Sequence, residues 1–168
     1  MDNQIIKIIA QNTIVDEQDT FNTTTKIFNM LAESKELYPG FFNWYFRKFV
    51  PGLRDGSRKI IVSYVEGEIG GVALIKNDGV EKKICGVRVN GKYRKMGIGV
   101  RLFRECLEVL NTTKPMVTVS SERLSSFSKI LKYYDFKLEQ INKGYYRENS
   151  NEYVFNGSLD TTTSQPRE

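Results

Sequence analysis

Chemistry in this sequence concentrates in one basic, glycine-bearing stretch. Val87-Arg88-Val89 closes an alternating β-branched run, and Asn90-Gly91 signals a turn. Arg94-Lys95-Met96-Gly97-Ile98-Gly99-Val100 then runs into a helical pattern in which Leu102, Phe103, Cys106, Leu107 and Leu110 recur three or four residues apart. A strand, a basic glycine turn and a helix start together suit an anion. The first amides of a helix lack intrahelical acceptors, and the helix dipole adds partial positive charge there. Glycine lets ligand oxygens approach the backbone. Arg94 and Lys95 add full charges, and no acidic residue lies between Lys82 and Arg104. Pyrophosphate is the guest that fits. Histidine is absent, which excludes Ser-His-Asp and Cys-His catalysis and removes the commonest nitrogen ligand of zinc. Proton transfer falls to carboxylates, tyrosines, lysines, backbone or water.

Three pyrophosphate patterns compete. A P-loop requires Gly-x-x-x-x-Gly-Lys-Ser/Thr, which the chain lacks. A dinucleotide fingerprint is met by Gly97 and Gly99, with Glu122 about where its acid belongs. Its third glycine is Leu102, however, and the strand ending at Val89 stops short of the first. Third, Val89-x-x-x-Tyr93-Arg94-Lys95-Met96-Gly97-Ile98-Gly99 resembles the acyl-CoA motif of the GNAT superfamily of N-acyltransferases. In that motif a strand ending in Val is followed by Arg/Gln-x-x-Gly-x-Gly/Ala opening a helix. The resemblance extends over the order of elements from about residue 3 to 156.

Those elements are read as follows. Ile5–Ile9 is a short strand; residues 20–36 carry a helical stripe of Phe21, Ile27, Phe28, Leu31 and Ala32. After Pro39-Gly40, residues 41–49 form an aromatic helix that Pro51-Gly52 is expected to close; most of its rings read as core. Ile60–Val65 and Ile69–Ile75 form a hairpin across Glu66-Gly67, and Lys83–Val89 follows the Asn77-Asp78-Gly79 turn. Residues 115–120 are a strand, and residues 125–134 a helix capped by Ser125 or Ser126, with Asp135 left-handed at its end. Phe136–Ile141 and Glu152–Phe155 form the last strand pair. Residues 1–156 thus read as one domain, and the polar residues 157–168 as a disordered tail.

At 168 residues, 40% hydrophobic and 27% charged, the chain suits a single soluble domain, expected in the cytoplasm. It has no apolar run of membrane-spanning length, and Cys85 and Cys106 read as buried thiols. The net charge of +5 is partly accounted for by Lys92, Arg94, Lys95 and Arg101 around a phosphate-rich ligand. A nucleic-acid partner is the alternative use of that charge.

The resemblance implies an α/β fold: a mixed, mainly antiparallel sheet flanked by helices, with a splayed parallel strand pair at the cofactor site. It implies an N-acetyltransferase that passes acetyl from acetyl-CoA to a primary amine through a ternary complex, without metal. The cofactor would be held by Val87, Arg88 and Val89 on the strand and by Arg94, Lys95, Met96, Gly97, Ile98, Gly99 and Val100 at the helix start. Tyr38, Trp44 and Tyr45 would line the acceptor wall. Family members that acetylate proteins often keep a glutamate where Glu81 stands, a residue that otherwise reads as a solvated turn; Glu122 is its rival, or a cap of the next helix. The family's acid is often a tyrosine at the position of Leu131, which leaves Tyr133 and Tyr134 as the neighbouring phenols. The other classes are a non-catalytic acyl-CoA sensor and a nucleic-acid-directed protein.

Overall fold

The computed structural model describes residues 4–14, 16–32, 36 and 38–160. Its elements are β1 (Gln4–Ile9), α1 (Glu17–Met30), α2, β2 (Arg58–Val65), β3 (Glu68–Asn77), β4 (Lys82–Val89), α3 (Ile98–Leu110), β5 (Met116–Ser120), α4 (Leu124–Tyr133), β6 (Leu138–Lys143) and β7 (Asn151–Phe155). Here α2 joins Phe41–Trp44, a π-helical Tyr45–Phe49 and Val50–Asp55. One seven-stranded sheet runs in the order β1-β2-β3-β4-β5-β7-β6, and its single parallel pair is β4 with β5. The α/β architecture expected from the resemblance, mainly antiparallel and flanked by helices, is the one observed. Among the described residues no helix is long and apolar enough to cross a membrane.

The strands alternate between two covered faces, which is why they read as nearly continuous apolar runs. Ile61, Ala73, Ile75, Ile84, Val117 and Val119 pack under α3 and α4. Ile60, Val62, Val72 and Leu74 pack under Ile27 of α1 and Phe41, Tyr45, Phe49 and Leu53 of α2. The β2–β3 hairpin turns at Glu66-Gly67 with φ of 52° and 82°, a left-handed pair that matches strand twist. Gly71 of β3 sets the height of α3. A Cβ there would lie 2.8 Å from Ile98 Cγ2 and 2.9 Å from Leu102 Cδ1, so only glycine lets the helix start sit this close to the sheet.

Several expected boundaries move. Helix α2 is not closed by Pro51-Gly52; it runs to Asp55 and stops at Gly56, φ 82°. The wide π turn precedes Pro51, with the Val50 N–H reaching Tyr45 O. Proline therefore enters at the first turn of a new α segment, where it forfeits no needed donor. The α4 start is Leu124, with Arg123 at the N-cap and no side-chain cap, because the chain turns through Arg123 N–H to Ser120 O at 3.0 Å. Neither Ser125 nor Ser126 caps it. Asp135 has φ 54°, as anticipated. Of the expected tail, residues 157–160 pack onto the domain: Leu159 is buried with Met116 and Val154, and its N–H donates to Gln140 Oε1 at 2.8 Å. Residues 161–168 lie outside the described residues.

Candidate active site

The loop expected to hold an anion is fixed by its flanks. The Asn90 N–H donates to Gly70 O at 2.9 Å, and Asn90 Oδ1 accepts from the Lys92 N–H at 3.0 Å. Tyr93 is buried, and its hydroxyl donates to Glu68 Oε2 at 2.7 Å, where Lys92 Nζ also sits at 2.7 Å. Lys92 is thus engaged by Glu68, and Arg101 by Gln4 Oε1 at 2.9 Å. Of the four cations expected around a phosphate, Arg94 and Lys95 are the exposed pair left facing outward. Lys95 and Gly97 take φ of 66° and 74°, folding the loop over the start of α3. Gly97 is the N-cap and offers no side chain, so the amides of Ile98, Gly99 and Val100 have no intrahelical acceptor. No heavy atom lies within 4 Å of where a Gly97 Cβ would stand. Met96 and Val100 are exposed beside it, whereas Ile98 is buried and serves as the helix's anchor on the sheet.

Strands β4 and β5 pair only through Lys83↔Met116 and Ile84↔Val117 and then diverge. At that point the β3–β4 register slips, from Ile75↔Ile84 to Leu74↔Gly86, which makes Cys85 the extra residue of a bulge. A cavity of about 550 Å³ opens in the gap. Gly86, Val87 and Arg88 of β4, Thr118 and Ser120 of β5, and Tyr38, Phe41 and Trp44 from before and within α2 line it. Val89 lies outside the cavity, half-buried against the α3 face of the sheet. Tyr38 and Trp44 therefore stand where an acceptor wall was expected. Tyr45 does not: it is fully buried, and its hydroxyl donates to Thr24 O at 2.8 Å. Its ring falls on the inward side of the helix, stacked 6.0 Å from Phe49.

Behind the cavity wall lies a carboxylate that sequence reasoning missed. Glu152 of β7 is 3% exposed, opposite Ser120 in the β5–β7 register. Burial pushes its pKa up to about 7, against hydrogen bonds from Thr118 and Tyr38 and the charge of Lys83. The Tyr38 hydroxyl donates to Glu152 Oε1 at 3.3 Å. Burial, reinforced by the Glu152 charge, holds the Tyr38 phenol well above its ordinary value, and burial does the same to Tyr146. Tyr146 meets Tyr38 edge-on at 4.9 Å. Both phenols stay neutral and so can donate hydrogen bonds. One signal was available in the sequence: Glu152 interrupts an otherwise apolar strand end, two residues before Val154 on the same face.

The carboxylates and phenols singled out beforehand lie off the cavity wall. Glu81 is bound by Lys76 Nζ at 2.9 Å, in the turn that opens β4. Glu122 is exposed and held by Arg147 and, at 2.9 Å, by the Ser150 hydroxyl. Burial raises its pKa, but its own amide, Ser150 and Arg147 together outweigh that and hold it below the usual carboxylate range. Such a group is a weak base. Tyr133 is 81% exposed, and Tyr134 stacks on Phe103 at 5.7 Å. Leu131, where a tyrosine was sought, is buried core.

A profile of the acetyltransferase (GNAT) family matches residues 18–121. No curated protein sequence matches the chain. Among solved structures, a GNAT-family protein from Desulfovibrio desulfuricans is similar at 14% identity and TM-score 0.65, covering 90% of this chain and 97% of that one. A GNAT acetyltransferase from Elizabethkingia anophelis, solved with acetyl-CoA bound, is similar at 16% identity and TM-score 0.59, covering 92% and 97%. An aminoglycoside 6'-N-acetyltransferase solved with coenzyme A is similar at 10% identity and TM-score 0.62, covering 90% and 94%. At such identities the structures speak for the fold, and the profile match, which spans the anion loop and the splayed pair, speaks for the family: the chain is a member of the GNAT family of acetyltransferases.

Proposed function

We propose that this protein transfers an acetyl group from acetyl-CoA to a primary amine within a ternary complex, with Glu152 as general base. The observation that carries the reading is the buried Glu152 carboxyl, poised at about pH 7 behind the cavity that opens where β4 and β5 part. The exposed amides at the start of α3, with Arg94 and Lys95, take the pyrophosphate. Beyond Ile84, the edge of β4 that faces the gap offers its backbone to the amides of an extended arm, as an added strand would. The backbone near Val89 supplies an N–H to the developing oxyanion.

The amine lone pair attacks the thioester carbon, the C–S bond breaks, and the thiolate departs and is protonated. The ammonium proton passes to Glu152 Oε1 by way of water at the cavity wall. Tyr38 donates to that carboxylate and favours its ionised, proton-accepting form. Tyr146 lines the cavity as a neutral hydrogen-bond donor to the leaving sulfur, which takes its proton from water. Positioning of the two reactants supplies much of the remaining acceleration.

The test is Glu152→Gln, assayed by thiol release against a panel of amines. Loss of a general base predicts a fall in kcat of roughly 10²-fold or more with acetyl-CoA affinity unchanged. Partial rescue at high pH should follow, where the amine deprotonates unaided. A kcat within about twofold of the parent would remove Glu152 from the mechanism.

A further inference from the structure

We propose that the acceptor is an α-amino acid with a large apolar or aromatic side chain, its carboxylate anchored by Arg123; this rests on the acyl-transfer reading above. Among the described residues, the cavity wall carries five cations, Arg47, Lys48, Lys83, Arg88 and Arg123, and no carboxylate. Glu152 lies behind the wall, where the charge of Lys83 acts on it. Arg47, Lys48 and Arg123 form no ion pair with any described residue. They are also separate from the phosphate set, because Arg94 and Lys95 are not on the cavity wall. Like charges facing one small cavity repel, and an anionic guest relieves that repulsion. A polyamine or aminoglycoside would add to it.

The position of Arg123 selects the anion's place. It is half-buried at the end of β5, and its charge reaches the Tyr38 hydroxyl, which is bonded to Glu152. An anion held there lies beside the base, so the reacting amine and the carboxylate must be close together on the same molecule, as on one α-carbon. A guanidinium is suited to carboxylate, which it can grip with two parallel N–H donors. The wall also carries the rings of Phe41, Trp44 and Phe127. Trp44 Nε1 is buried and makes no hydrogen bond with a described residue, whereas Ser120 acts on the Tyr38 hydroxyl.

The experiment measures binding by calorimetry with coenzyme A present, and thiol release from acetyl-CoA in parallel, for phenylalanine, phenylalaninamide, phenethylamine and spermidine. Phenylalanine should bind at least about tenfold more tightly than its amide or phenethylamine, the discrimination one charge-assisted pair provides. The gap should close to within about twofold in Arg123→Ala and partly reopen in Arg123→Lys, with acetyl-CoA affinity unchanged. Tightest binding by spermidine, equal binding of the amide, or a gap that survives Arg123→Ala would overturn the inference. Carboxylate-dependent binding that Arg123→Ala abolishes, without thiol release, would uphold the Arg123 anchor and overturn the acyl-transfer reading. Thiol release with spermidine alone would do the reverse.

Discussion

The two halves of the site are built in different ways. The proposed anion side is one contiguous stretch, Arg94–Val100, which offers backbone amides, two exposed charges and a glycine at φ 74°. The proposed acceptor side is assembled from Tyr38, Lys83, Thr118, Arg123, Tyr146 and Glu152, residues that only the closed sheet brings together. A backbone site needs particular residues at fixed spacing, so it leaves a motif. A side-chain site of scattered origin leaves none.

Five substitutions press on that contrast. The largest effect is expected at Gly97→Val. No neighbour obstructs a side chain there, so folding should suffer only about 1–2 kcal/mol from the left-handed backbone. The added atoms stand where a ligand's oxygens must come, and acetyl-CoA binding should weaken by about 10²-fold or more, read by calorimetry. Intact binding would mean that the loop is not the cofactor site.

Next in size is the pH dependence of stability at Glu152. The folded protein holds this proton more tightly than the unfolded chain, with a pKa of about 7 against 4.5. The stability it contributes is complete below the unfolded value and is lost as pH rises through about 7. Glu152→Gln should therefore match the parent near pH 5 and exceed it at pH 8, by about 2 kcal/mol in denaturant titrations. Equal stability at both pH values would show the carboxyl to be solvated. Tyr38→Phe is a smaller change. It removes a donor that favours ionised Glu152, so the acidic limb of the kcat/KM profile should move to higher pH, with a loss of a few-fold at pH 7. The smallest effects are expected at Glu81→Gln and Glu122→Gln, each within about twofold in kcat, because their carboxylates are engaged away from the cavity. A large loss at either would move the base to that side.

Much of the fold was readable because local signals agreed. The apolar stripe of α3 named Leu102, Phe103, Cys106, Leu107 and Leu110, and all five are buried. The Glu66-Gly67 turn fixed a hairpin. The readings that failed depended on context. Pro51-Gly52 looked like a helix stop, and the π turn before it absorbs the proline. Glu81, where the resemblance places a glutamate, and its rival Glu122 lie off the cavity wall, held by Lys76 and Arg147. Glu152 went unnoticed because its pKa is set by burial between β5 and β6, and no property of its immediate neighbours in sequence reveals that. Gly70-Gly71 was informative and overlooked: glycine in mid-strand marks a close approach, here that of α3.

The parting of β4 and β5 also bears on cooperativity. The sheet is continuous in strand order, yet its two halves, β1–β4 and β5–β7, are joined by only two residue pairs. The rest of that seam is held by α3 and α4 packed across one face. Each half closes its own hairpin ladders, so each can open as a unit of its own, with the seam as the weakest line between them. A ligand that pairs with the exposed edge of β4 would then fuse two folding units into one, and would act as a missing strand of the protein as well as its substrate.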